Sequence, residues 1–194
     1  MNNKENWVEF FDSFIELCEV SCKEIENHGY FAEYSINIKI ALIFNVKHSI
    51  ELFLKSVIRM IDSNEVIKSH NLEEVFINLK SKLEEKLKNF TFQDCQAELR
   101  EYIEQEKKEW EKGSYFSDIK EIIKYYDESL FLEDGKKAKD IKNTFFRYPE
   151  DASRNTHDID YYSFIYGDKF DVYKISEDIS VLSLCFNSIK TILV

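Results

Sequence analysis

Apolar residues recur every three or four positions over most of the chain, which is the period of an amphipathic helix rather than of a strand. Trp7, Phe10, Phe11, Phe14, Cys18, Cys22 and Ile25 keep that spacing ahead of Gly29, predicting a first helix from Asn6 to Asn27. A longer helix is expected from Ala32 to Ile61. There Ile40, Ile43, Phe44, Val46, Ile50, Phe53, Leu54, Val57 and Ile61 form a stripe wide enough for several neighbours. Asn71 followed by Glu74 is the pattern of a capped helix start, and Leu72, Val75, Phe76, Leu79, Leu83 and Leu87 continue the period. Gln93 to Lys112 reads as a helix with one solvated face and sparse anchors at Leu99, Tyr102, Ile103 and Trp110. Ser117 is the expected cap of a short helix carrying Ile119, Ile122, Ile123 and Tyr126. Ser176 is the expected cap of a last helix carrying Ile179, Leu182, Phe186, Ile189 and Leu193.

Between Glu133 and Lys174 the helical period stops. The alternation Tyr161-Tyr162-Ser163-Phe164-Ile165-Tyr166 suggests a short strand or hairpin arm inside an irregular segment before the last helix. With no internal repeat or low-complexity linker, residues 1–194 read as a single all-α domain, an elaborated up-and-down helical bundle.

Composition supports long helices: hydrophobic residues make up 44% of the chain, while only four Gly and one Pro are present to punctuate it. The formal charge of −11 repels phosphate backbones and argues against broad nucleic-acid binding, though not against a local basic pocket. The lysines Lys136, Lys137, Lys139 and Lys142 form the one dense basic run, either a solvated loop or a small anion-attracting patch. The start MNNKENWVEFFDS lacks the basic and apolar pattern of a secretory signal, and no run of roughly eighteen apolar residues follows. A cytoplasmic location without membrane contact is therefore expected. Cys18 and Cys22 lie one helical turn apart and are expected to be reduced core residues.

Three segments carry a family resemblance. His48 to Ile58 contains Glu51 followed four positions later by Lys55. Ser69-His70-Asn71-Leu72 opens the next helix. Phe146-Arg147-Tyr148-Pro149-Glu150-Asp151 places an Arg-Tyr-Pro-acidic turn downstream. In this order they resemble the HEPN family of helical nucleotide- and RNA-associated domains, in the branch of nucleotidyltransferase-associated and sacsin-type domains. The resemblance covers about Phe44 to Asp151, with a long insertion between Leu87 and Lys142 and Ser69 where the family often has Gly. It implies a homodimer in a bacterial stress or defence setting, with a nucleotide, RNA or protein partner. The wide stripe of the second helix offers a surface for such pairing.

Many HEPN domains are metal-independent ribonucleases with an Arg, a polar residue and then a His after four to six intervening residues. Such cleavage needs a proton carrier and a cation beside the phosphate. Here Arg154-Asn155-Thr156-His157 leaves only two intervening residues, and it falls in the irregular segment. Arg154 and His157 are thus the candidate catalytic pair of an alternative toxin or anti-phage ribonuclease, and the favoured reading is a degenerate, non-catalytic domain with these residues on a solvated loop.

The candidate ligand-binding residues are Arg147, Tyr148, His70, Asn71, Lys55 and Glu51. Arg147 beside Tyr148 suits phosphate contact or stacking, or else anchors the turn by forking onto Glu51. His70 either caps and packs the start of its helix or acts as a ligand or proton carrier beside Arg147. Glu51 and Lys55 are spaced for an ion pair along one helix, with Lys55 as phosphate ligand the rival reading. His48 and Glu51 lack a third ligand at a suitable spacing, so no metal is expected. No phosphate-binding, dinucleotide or hydrolase-elbow glycine motif occurs, and no cofactor is expected.

Overall fold

A computed structural model describes the backbone of residues 3–28, 32–91, 97–128, 130–131, 137–138 and 170–193, and side chains over 7–28, 38–91, 99–127 and 170–193. Six helices lie within these residues: α1 (Asn3–His28), α2 (Ala32–Ile61), α3 (Leu72–Lys88), α4 (Ala97–Lys112), α5 (Ser114–Glu128) and α6 (Val172–Leu193). A two-residue antiparallel pair, β1 (Leu130–Phe131) and β2 (Lys137–Ala138), follows α5, with Leu130 opposite Ala138. The fold class is therefore the all-α bundle that the apolar period predicts.

Helix α2 is the central element because its apolar stripe is wide enough to receive α1, α3, α5 and α6. That width is used within one chain, so it supplies no motive for a second copy to cover it. Phe11, Phe53 and Phe186 join α1, α2 and α6, with ring centres 4.4 Å apart for Phe11–Phe186 and 6.0 Å for each of the other two pairs. Burying a ring of this size contributes about 1.5–3 kcal/mol, which makes this contact a main tie between the two ends of the chain. At the other side Trp110 packs on Tyr115 and Phe116, and its indole N–H donates to Ser188 Oγ at 3.0 Å, satisfying the one polar atom that burial of the ring would strand. Cys18 and Cys22 are buried free thiols in the core, and burial pushes their pKa values up to about 12 and about 11.

Two helix starts differ from expectation. Ser117 lies inside α5, because Gly113 takes a left-handed conformation (φ +86°) that ends α4 and lets α5 begin at once. Ser117 N–H then donates to Gly113 O at 2.9 Å within the first turn. Ser176 likewise lies inside α6. Asp171 stands earlier in the chain and accepts from the N–H groups of Tyr173 (2.9 Å) and Lys174 (3.1 Å), so it caps the helix from Val172. The possible arm at Tyr161–Tyr166 and the stretch from Gln93 to Gln96 lie outside the described residues.

Candidate functional site

The turn between α2 and α3 is built to hold its last residues still. Asn71 caps α3, its Oδ1 accepting from Glu73 N–H at 3.1 Å and Glu74 N–H at 3.3 Å. The reciprocal half of the cap is closed through Ser69, which donates its hydroxyl to Glu74 Oε2 at 2.8 Å and accepts from Asn71 N–H at 3.1 Å. Upstream, Lys82 clamps Asp62 and Glu65, each at 3.3 Å, from the side of α3. These ties fix the chain on either side of His70.

His70 is thereby turned back toward α2 rather than serving as the cap. Its Nδ1 lies 2.8 Å from Glu51 Oε1, and Lys55 Nζ donates to the same oxygen at 2.7 Å. Glu51 and Lys55 are buried, their side chains 5% and 7% exposed, whereas the His70 side chain is 51% exposed. One sealed carboxylate thus holds a sealed ammonium and a half-exposed imidazole. Burial pushes the Glu51 carboxyl up, but the hydrogen bond and charge of Lys55, together with those of His70, outweigh it and hold the group below its ordinary value. With Nδ1 engaged by Glu51, Nε2 is the ring nitrogen left to act on anything outside.

The structure therefore brings together Glu51, Lys55, His70 and Asn71 of the expected residues. Arg147, Tyr148, Arg154 and His157 lie outside the described residues. His48 is an aromatic packing residue, stacked on Phe44 at 5.9 Å and edge-on to Phe14 at 4.7 Å. Among the described residues no group of three His, Cys, Asp or Glu side chains could hold a metal ion, and no helix is long and apolar enough to cross a membrane.

Two ionic contacts at buried carboxylates are not evident from the sequence. Lys47 Nζ on α2 lies 3.4 Å from Asp127 Oδ1 on α5, both side chains sealed from solvent. Asp178 on α6 accepts from Lys174 Nζ at 2.9 and 3.0 Å and from Tyr126 O–H at 3.2 Å. The available signal was a charge inside an apolar stripe: Lys47 follows Val46 and precedes Ile50, and Asp127 lies one turn beyond Ile123. A scan against models of known protein families, a search of curated proteins and a search of solved structures each returned no match.

Proposed function

We propose that this chain is a HEPN-like helical domain without catalytic activity that binds a nucleotide or RNA phosphate at the exposed edge of His70. The observation that supports this reading is the sharing of the buried Glu51 carboxylate between Lys55 and His70. Lys55 donates to the same carboxylate oxygen that holds His70 Nδ1, so the ring's orientation is already fixed with its other nitrogen toward the outside. The resemblance adds Arg147 and Tyr148 as further phosphate and base contacts, and it supplies the setting, bacterial stress or defence. His70→Ala and Arg147→Ala are each expected to weaken binding of a nucleotide or a short RNA by about tenfold to hundredfold, the effect of losing one charge-assisted contact. Absence of nucleotide and RNA binding, with only a lowered melting temperature in the variants, would make the cluster a structural anchor.

A second reading, a metal-independent ribonuclease, is favoured by one feature. A carboxylate on one nitrogen of a half-exposed imidazole is the arrangement that orients a general base. RNA cleavage in the presence of a chelator, lost in His70→Ala or in His157→Ala, would establish it.

The homodimer implied by the resemblance requires a surface other than α2. On α1, Phe10, Leu17 and Val20 are exposed at seven- and three-residue spacing, and we assign pairing to that face. Light scattering that returned only the 23.2 kDa monomer at micromolar concentration would remove the dimer.

A further inference from the structure

A groove of about 490 Å³ runs between α3 and α5, built from residues other than the Glu51 cluster. Each wall is one helical stripe: Phe76, Ile77 and Lys80 from α3 face Phe116, Lys120 and Lys124 from α5. Phe76 and Phe116 are buried and meet edge to face at 6.3 Å, and Ile77 stands exposed at the rim. The floor is therefore an aromatic surface of fixed shape. Its size lies within the range of about 300–1,000 Å³ typical of small-molecule sites.

The charge around this floor has the opposite sign to the molecule. The chain carries 37 acidic and 26 basic residues, yet three lysines line the groove against Glu73 and Asp127. Asp127 is met by the buried Lys47 at 3.4 Å, so it contributes little to the field in the groove. Lys80 lies 5.4 Å from the Phe116 ring centre and reaches Glu84 only at 3.9 Å, through solvent-exposed side chains. Among the described residues neither Lys120 nor Lys124 has an ion-pair partner, although they sit one helical turn apart on the same face. Like charges at that spacing repel, and an anion placed between them converts the repulsion into two attractions.

We propose that this groove binds a small amphiphilic anion, an aromatic-sized apolar body with a single phosphate, sulfonate or carboxylate head. The body lies against Phe76 and Phe116, and the head sits between Lys120 and Lys124 with Lys80 completing the cationic rim. The site is distinct from the phosphate-binding edge at His70 and does not depend on it.

The test is calorimetric titration of the full chain with 1-naphthyl phosphate, and separately with its two halves, 1-naphthol and inorganic phosphate. The whole ligand is expected to bind saturably and each half at least about tenfold more weakly. The double variant Lys120→Gln/Lys124→Gln removes both charges while leaving polar side chains, and should lose about tenfold or more for 1-naphthyl phosphate with an unchanged melting temperature. Ile77→Ser should weaken the same ligand by a smaller factor, and His70→Ala should leave it unaffected. The proposal is overturned if no saturable binding occurs by millimolar concentration, if either half binds as tightly as the whole, or if the double lysine variant binds like the wild type. Loss of binding in His70→Ala but not in the lysine variant would place the anion at the other site, removing this proposal and leaving the earlier reading intact.

Discussion

Glu51 and Asp178 are both buried carboxylates on long helices, each one helical turn from a lysine, yet their acidities move in opposite directions. Burial pushes both pKa values up. At Glu51 the partners win and the carboxyl is held below its ordinary value. At Asp178 the hydrogen bonds and charge of Lys174 and the hydroxyl of Tyr126 recover only part of the burial effect, and Glu177 adds to the rise. The difference lies in the partners. Lys55 is sealed from water with its carboxylate and His70 adds a second ionisable donor, whereas Lys174 is 39% exposed and Tyr126 is neutral. The order along the helix differs too: glutamate precedes lysine at 51 and 55, the better orientation, and lysine precedes aspartate at 174 and 178. A buried carboxylate is held below its ordinary value when its counter-charge is as dry as it is.

The largest expected effect separates the two regions directly. Glu51→Ala strands the Lys55 ammonium in a dry site and should cost about 3–5 kcal/mol of unfolding free energy. Asp178→Asn removes a charge that the fold already disfavours and should cost less than about 1 kcal/mol. Urea denaturation of both variants at neutral pH measures the contrast, and equal losses would break it. Lys55→Met comes next, because Glu51 then loses the ammonium on its Oε1 while His70 stays; the loss of one hydrogen bond to a charged group should cost about 1.5–3 kcal/mol.

The helix caps sharpen the comparison at a smaller scale. Asn71 and Asp171 perform the same task at the starts of α3 and α6, so truncating either to alanine should cost about 1 kcal/mol. Only Asn71→Ala should also release His70, which is read as loss of the His70–Glu51 contact in the imidazole resonances. If Asp171→Ala moves those resonances equally, the turn at Ser69–Asn71 is not what orients the ring.

Much of this is legible in the sequence. The bounds of α2 at Ala32 and Ile61, the Asn71 cap and the Glu51–Lys55 pair all follow from short-range periods, because residues three or four apart on a helix must meet. The helix starts at Ser114 and Val172 were missed. Capping is a competition among neighbours, and Gly113 and Asp171 stand ahead of the serines that looked suitable. Contacts between elements were beyond reach for a related reason. His70 is 19 residues from Glu51, and Lys47 meets Asp127 only because α5 packs against α2. No local period encodes such a distance. The charges inside apolar stripes showed that partners existed without saying which.

The smallest expected effect is also the one that tests the sign of the comparison. A carboxyl held below its ordinary value of 4.5 contributes stability that is fully present above that value and is lost as pH falls through its folded pKa, which is the case of Glu51. A carboxyl raised above its ordinary value of 3.8 behaves in reverse: its contribution is fully present below that value and is lost as pH rises through the folded pKa, which is the case of Asp178. Comparing each variant with the wild type between pH 3 and pH 7 cancels the groups they share. The destabilisation caused by Glu51→Gln should therefore shrink as the pH is lowered, because protonation has already discharged the wild-type carboxylate. That caused by Asp178→Asn should grow on the same descent, because the protonated wild-type aspartic acid then recovers what ionisation cost it. Two curves of the same slope would mean that the dry lysine and the wet one serve their carboxylates equally, and the account of Glu51 as the better-held charge would have to be given up.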